Sequence, residues 1–158
     1  MPKLIIFDVY GTLLYADEED RVVRPGLREL MDFYKSQFKV TCSDGEEGNI
    51  EEDLRNAGIY EDFDNHYGSR DMVYEDRLLK NLGKICREGN LPVSSAVFIG
   101  DNFSGRDRSS AEHFGVKFIK VPQFRARLPS THERLCQGDD VQYEYDNSFS
   151  FTSLIGKL

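Results

Sequence analysis

The feature that most constrains the fold is a short apolar run near the N-terminus that ends in a carboxylate. Leu4-Ile5-Ile6-Phe7 is too short for a helix and is rich in residues that favour strands. An unbroken apolar run of this length is typical of a strand buried on both faces, as in a parallel sheet. Asp8 then falls at the carboxyl edge of the strand, where open α/β sheets bind ligands. A carboxylate there serves as a nucleophile, a metal ligand, both, or only a turn or helix cap.

Further apolar runs alternate with stretches of helical periodicity along the chain. We predict strands over 38–42, 96–99 and 116–121, and a weakly signalled strand within 59–67. We predict helices over 25–34, 49–57 and 106–114, and a longer helical region after Ser69 that ends at Gly89. This alternation favours right-handed βαβ units. The predicted fold class is therefore α/β, a three-layer, Rossmann-like parallel sheet with helices on both faces.

The helical region after Ser69 carries the clearest apolar stripe in the sequence. Its members recur at helical spacing: Leu78, Leu79, Leu82, Ile85 and Cys86. We expect one helix to present this stripe to the core.

Composition narrows the classes of function. The net charge of −8 and a pI near 4.9 argue against a broad nucleic-acid-binding surface. No apolar run approaches the roughly 20 residues of a membrane span, and the first residues lack the pattern of a signal peptide. The three cysteines, Cys42, Cys86 and Cys136, are odd in number and widely spaced. Reduced thiols, and hence a cytoplasmic location, are the expectation.

Three predicted strands are followed by polar residues. Asp8 follows the first, Ser43 the second, and Asp101 and Asn102 follow the strand over 96–99. Neighbouring parallel strands lie about 4.8 Å apart, so residues at their ends converge. Two carboxylates and a hydroxyl suit a hard cation such as Mg²⁺, with waters and substrate phosphate oxygens completing its shell. The helical region after Ser69 offers three residues that would offset negative charge: Arg77, Lys80 and Lys84.

The order of these motifs resembles that of the haloacid dehalogenase-like (HAD) hydrolase superfamily. The resemblance covers roughly residues 3–121. It rests on an apolar strand before Asp-x-x-Gly-Thr-Leu, a second strand ending in Ser43, a later Lys or Arg, and an apolar strand before Gly100-Asp101-Asn102. The first and last motifs are specific, whereas the middle two count mainly through their order and spacing.

The resemblance implies roles for individual residues. Asp8 would be the nucleophile that forms an aspartyl-phosphate. Mg²⁺ would be held by Asp8, the backbone carbonyl of Tyr10, and Asp101. Ser43 would hydrogen-bond the transferring phosphoryl group.

The resemblance also implies a cation and a second acidic residue. Lys80 is our preferred cation, because Lys80-Asn81-Leu82 resembles the Lys-Asp-Leu of capless relatives, and Arg77 is the close alternative. Asp107 would be the second acidic residue of the last motif, since Gly115 follows it at about the family's usual distance.

Tyr10 departs from the pattern of the family's phosphatases, which carry an Asp two residues after the nucleophile. That Asp protonates the leaving group and activates the attacking water, whereas a tyrosine hydroxyl with a pKa near ~10 is a poor base at neutral pH. Asp-x-Tyr-Gly-Thr-Leu resembles the dehalogenase version of the loop. The alternatives are a phosphatase that is slow, borrows another acid/base or favours good leaving groups, a catalytically weak binding or regulatory module, and a dehalogenase-like hydrolase.

The spacing of the motifs argues against a cap. Only 30 residues separate Thr12 from Ser43, too few for the helical cap of the dehalogenases. We expect one domain over 1–158 without a large cap, with 123–158 as an irregular C-terminal extension that packs on the core. Arg125, Arg127 and Arg134 form a modest basic patch that we expect in a solvated loop, and binding of an anionic substrate is the alternative. Within this family an open site accompanies large phosphorylated substrates, or a homo-oligomer whose neighbour covers the site. The form of the last motif, Gly100-Asp101-Asn102, resembles that of the phosphatases and favours a phosphatase.

Overall fold

The computed structural model describes residues 1–18, 22–127, 130–132 and 146–158. At its centre is a parallel five-stranded sheet of order β3-β2-β1-β6-β7, beside a separate antiparallel hairpin of β4 and β5. The strands are β1 (Leu4–Phe7), β2 (Phe38–Cys42), β3 (Asn65–Tyr67), β4 (Met72–Glu75), β5 (Arg77–Lys80), β6 (Ala96–Gly100) and β7 (Lys117–Lys120). The four α-helices of the described residues are α1 (Leu27–Phe33), α2 (Glu47–Asn56), α3 (Leu82–Glu88) and α4 (Arg106–Phe114).

The side chains of β1 alternate between two apolar clusters, one on each face of the sheet. Ile5 and Phe7 pack with residues of α1 and α2. Leu4 and Ile6 pack with residues of α3 and α4. Because successive strand residues point to opposite faces, an all-apolar strand requires helices on both. The predicted three-layer α/β architecture is therefore confirmed.

The register of the central strands determines where the site forms. Phe7 pairs with Thr41 of β2 and with Ile99 of β6. The residues just after these partners therefore meet at one edge of the sheet. Asp8 continues the pairing, since its backbone N–H donates to the Ile99 carbonyl at 2.9 Å.

The helical region predicted after Ser69 is wrong in its first half. Residues 72–80 form the β4–β5 hairpin, which turns at Asp76 with φ of 71°. Leu78 is 43% exposed and Leu79 is 1% exposed, the alternation of a strand. The helix begins only at Leu82, because the Asn81 side chain caps it by accepting from the Lys84 N–H at 3.1 Å.

Other predicted elements agree with the structure to within a few residues. The strands over 38–42 and 96–99 and the helix over 106–114 are confirmed. The helix predicted from Asn49 begins earlier, at Glu47. The weak strand within 59–67 is β3, at the edge of the sheet.

The C-terminal residues that the structure describes pack on the core. Phe151 is fully buried, and its ring lies edge-on to Phe7 at 6.1 Å between centroids. The buried guanidinium of Arg24 lies over the rings of Phe124, at 5.1 Å, and Phe149, at 4.9 Å. Predictions that concern Arg134 and Cys136 fall outside the described residues. Within the described ranges, no helix has the length and apolarity needed to span a membrane.

Candidate active site

A buried ammonium group joins two carboxylates at the carboxyl edge of the sheet. Lys80, the last residue of β5, is 2% exposed. Its Nζ donates to Asp8 Oδ1 and to Asp107 Oδ1, both at 2.7 Å. Its backbone N–H donates to Ser110 Oγ of α4 at 2.9 Å, which holds the end of the hairpin against that helix. Lys80 therefore comes from outside the central sheet and neutralises part of the charge beside Asp8.

The Thr12 hydroxyl joins the first and last motifs. It donates to Asp8 Oδ2 at 2.9 Å and accepts from the Asp101 N–H at 3.0 Å. Gly11, which precedes it, has φ of 82°, and a Cβ there would collide with the Asp101 carboxylate. The tight turn therefore needs glycine both for its backbone conformation and for space.

Three carboxylates share this buried region with one ammonium group. One oxygen from each of Asp8, Asp101 and Asp107 lies within 4.8 Å of the others. Burial, Asp8 and Asp107 hold the pKa of Asp101 well above its usual value. Burial also raises the pKa of Asp107 to about 6, although Lys80 opposes the rise. Burial lowers the pKa of Lys80, but Asp107 and Asp8 outweigh it and leave that pKa well above its usual value.

The excess of buried negative charge fits a divalent cation. Oxygen donors are the ligands that Mg²⁺ prefers, and a second cation would relieve the repulsion that raises the pKa of Asp101. Both Asp107 oxygens already accept hydrogen bonds, Oδ1 from Lys80 and Oδ2 from the Asn102 N–H at 3.1 Å. Both Asp8 oxygens are hydrogen-bonded as well, Oδ1 to Lys80 and Oδ2 to Thr12, so hydrogen bonding does not distinguish Asp8 from Asp107. The assignment of Asp8 and Asp101 as the metal ligands therefore stays a prediction.

Ser43 lies beside this cluster at the end of β2. It is 1% exposed, and its Oγ accepts from the Gly45 N–H at 3.1 Å. Together with the carboxylates it lines a cleft of about 460 Å³. Other residues of the cleft wall include Tyr10, Asp17, Arg106, Gln123, Arg125 and Arg127.

Tyr10 is held by a residue that the sequence analysis did not select. Its hydroxyl donates to a carboxylate oxygen of Asp53, which is buried on α2. Tyr10 also lines the cleft, together with Asp8 and Ser43. The position that carries an Asp in the family's phosphatases thus holds a phenol in contact with a more distant carboxylate. The assignment of the Tyr10 carbonyl as a metal ligand stays a prediction.

The remaining predicted site residues lie in different environments. Arg77 is exposed in the hairpin and is not part of the cleft wall. Lys84 pairs instead with Asp71, at 2.5 Å. Asn102 has φ of 58°, and its Oδ1 accepts from the Arg108 N–H at 3.0 Å. Of the three candidate cations, the structure brings only Lys80 to Asp8, and Asn102 stabilises the turn into α4.

Arg125 is buried, contrary to the expectation that it lies in a solvated loop. It is 4% exposed, and it contacts Gln123, which in turn contacts Asp101. Arg127 does match that expectation, since its side chain is 72% exposed. Neither Gln123 nor the Asp53 contact has a sequence signal, because both depend on segments distant along the chain.

The structure is similar to solved structures of HAD-superfamily hydrolases. A HAD hydrolase of subfamily IA from Geobacter sulfurreducens is 17% identical, with a TM-score of 0.61 over 80% of this chain and 95% of that one. L-2-haloacid dehalogenase from Xanthobacter autotrophicus is 15% identical, with a TM-score of 0.63 over 84% of this chain and 80% of that one. The N-terminal part of a Bacteroides fragilis protein, containing a phosphatase domain complexed with Mg, is 19% identical, with a TM-score of 0.58 over 77% and 36%.

No protein-family model and no curated protein matches the sequence. At these identities the structural similarity establishes the fold. The chain has the fold of the HAD-superfamily hydrolases, as the order of its motifs indicated. That fold carries both phosphatase and dehalogenase chemistry among these neighbours, so the choice between them depends on the site.

Proposed function

We propose that this protein is a Mg²⁺-dependent phosphohydrolase that works through an aspartyl-phosphate on Asp8. The observation that carries the proposal is the buried cluster in which Asp8 meets Lys80 while two further carboxylates lie within 4.8 Å. A phosphoryl group carries several negative charges, and catalysis of its transfer depends on positioning and charge neutralisation. A carbon–halogen bond makes no comparable demand for a divalent cation.

The side chains of the cluster divide the reaction into two steps. An Asp8 carboxylate oxygen attacks phosphorus, and the bond from phosphorus to the leaving oxygen breaks. Water then attacks the phosphorus of the aspartyl-phosphate, the bond to Asp8 breaks, and inorganic phosphate leaves. Lys80 and Thr12 hold the attacking carboxylate in one orientation, and Ser43 offers a hydroxyl to the phosphoryl oxygens.

Mg²⁺, held by Asp8, Asp101 and the Tyr10 carbonyl, would neutralise charge that develops on the transferring phosphoryl group. The Mg-bound phosphatase domain among the structural neighbours supports this cofactor. The substrate is a phosphorylated compound of undefined class, reached through an open cleft that admits a macromolecule or a neighbouring subunit. We retain a cytoplasmic location and a single domain without a large cap as parts of the proposal.

A dehalogenase-like activity is the second candidate. It is favoured by Tyr10 and by the dehalogenase among the structural neighbours. A catalytically weak binding module is the alternative if neither reaction occurs.

Hydrolysis of p-nitrophenyl phosphate with Mg²⁺, compared with the same assay in chelator, tests the proposal. We expect turnover with Mg²⁺ that is lost in chelator and restored by added metal. Halide release from a 2-haloacid is measured in parallel. Metal-independent halide release without phosphate release would contradict the phosphatase proposal and support the dehalogenase. An absence of both activities would support the binding module.

Tyr10→Asp tests whether the phenol limits the reaction. A carboxyl group at position 10 is a better acid and base near neutral pH than a phenol, and general acid–base catalysis contributes about 10²–10⁴-fold. We expect turnover of an alkyl phosphate, which has a poor leaving group, to rise by about tenfold or more. An equal or lower rate in a folded variant would show that another group already serves as the acid/base.

The control for this substitution is Tyr10→Asp combined with Asp53→Ala. Tyr10→Asp alone removes the hydroxyl that donates to the buried Asp53, and the loss of a hydrogen bond to a charged group costs about 1.5–3 kcal/mol. The second change removes that carboxylate. A gain in rate that appears in both backgrounds therefore reports the chemistry of position 10.

A further inference from the structure

A buried glutamine contacts the carboxylate of Asp101. Gln123, just beyond β7, is 4% exposed. Its Nε2 donates to Asp101 Oδ2 at 2.8 Å. Thr12 holds the backbone N–H of the same residue at 3.0 Å. With its backbone and one carboxylate oxygen both hydrogen-bonded, the Asp101 carboxylate is restricted in rotation, and the direction of Oδ1 is set as well.

The orientation of the Gln123 amide depends on Arg125. An amide can offer either its oxygen or its nitrogen to a neighbour, and only the nitrogen binds a carboxylate favourably. Arg125 donates from a guanidinium nitrogen to Gln123 Oε1 at 3.2 Å. Because a guanidinium group has donors and no acceptor, this contact holds the oxygen on the Arg125 side. The Nε2 group is therefore directed at Asp101.

Arg125 is itself held by the segment that follows the Asp8 motif. Its Nε donates to the Arg127 carbonyl at 3.0 Å, and another nitrogen lies 3.6 Å from Asp17 Oδ2. The Asp17 carboxylate also accepts from the backbone N–H groups of Ala126, at 2.8 Å, and Arg127, at 3.0 Å. The Arg125 and Asp17 side chains are only 5% and 7% exposed, so this arrangement forms a buried part of the cleft wall.

We propose that Gln123 and Arg125 are positioning residues that orient Asp101 to hold the divalent cation of the site. The inference rests on the metal site of the proposed function but not on the hydrolysis itself. Outer-shell partners that orient a ligand typically contribute about 10–100-fold in metal affinity. Gln123 acts on Asp101 directly, whereas Arg125 acts through Gln123. Replacing Gln123 should therefore weaken Mg²⁺ binding more than replacing Arg125.

Titration of the full chain with MgCl₂ by isothermal calorimetry tests the proposal. We expect Gln123→Met, which keeps the size of the side chain and removes its donors, to raise the Kd for Mg²⁺ by about 10–100-fold. Arg125→Met should raise the Kd less, because Gln123 remains and loses only the contact that Arg125 makes with its Oε1. Gln37→Met is the matched control, since Gln37 contacts Met1 instead, and its Kd should equal that of the unchanged protein.

Melting curves in chelator establish that each variant is folded at the titration temperature. If Gln123→Met does not fold, the titration of Arg125→Met tests the inference instead. A Kd within threefold of the unchanged protein in the folded variants would overturn the inference. Absence of Mg²⁺ binding by the unchanged protein would also overturn it. Binding that depends on Gln123 in a protein without phosphatase activity would support the inference and remove only the proposed function.

Discussion

Asp8→Asn should abolish phosphate release while leaving the protein at least as stable in chelator. An amide oxygen is a poor nucleophile toward phosphorus, so we expect a loss of at least about 10³-fold in kcat, equivalent to about 4 kcal/mol of barrier. Asn is isosteric with Asp and still accepts from Lys80. The substitution also removes one of three clustered carboxylates, so the repulsion that burial intensifies becomes smaller.

The measurement pairs steady-state rates with thermal unfolding of the same samples. Asp62→Asn is the control, because Asp62 pairs with Arg28 at a solvent-exposed site. It should change neither the rate nor the melting temperature appreciably. Retention of a tenth or more of the activity in Asp8→Asn would exclude Asp8 as the nucleophile, and a large loss of stability would show that its role is structural.

Lys80→Met should lower both activity and stability. It leaves the buried carboxylates of Asp8 and Asp107 without their ammonium partner. Breaking a buried ion pair by removing one partner costs about 3–5 kcal/mol. Loss of a preorganised charge that faces the reacting group costs about 10²–10³-fold in kcat. The loss of stability should be smaller in Mg²⁺ than in chelator, because the metal neutralises the same carboxylates.

Chemical denaturation with and without Mg²⁺ measures this effect, with Lys84→Met as the matched control. Lys84 pairs with Asp71 and is 38% exposed, so its loss should cost less than about 1 kcal/mol. Unpaired buried carboxylates bind protons more readily in the folded state than in the unfolded state. The deficit of Lys80→Met should therefore shrink as the pH is lowered toward about 5. Equal stability of both variants would show that Lys80 does not neutralise the cluster.

The edge of the sheet that holds the site was predictable from local signals. The apolar run before Asp8 has no polar face, so it requires a central strand, and its end fixes the position of the carboxylate. The same argument places Ser43 and Asp101 beside it, because parallel strands end together. Length and apolarity of single segments are sufficient for this part of the fold.

The hairpin was not predictable from periodicity alone. Leu78, Leu79 and Leu82 fit a helical stripe, but Leu78 and Leu79 belong to a strand and only Leu82 to a helix. The competing signals were the turn at Asp76 and the cap at Asn81, both of which are short and weak in a sequence.

The contacts of Gln123 and Asp53 could not be predicted from the sequence, for a different reason. Each joins segments that are distant in sequence, so no window of the chain contains both partners. A buried Asp on the inner face of α2 looks like any other helix carboxylate until Tyr10 is placed against it. Long-range polar pairs of this kind depend on the fold as a whole.

The hairpin also brings Lys80 to the site from outside the central sheet. Its base is anchored where the Lys80 N–H donates to Ser110 of α4, whereas its tip projects outward, with Tyr74 74% exposed. Additional sequence inserted between Glu75 and Arg77 would lengthen the tip without displacing the ammonium group. The tip would therefore accept an inserted recognition module while the Lys80 ammonium group stays beside Asp8.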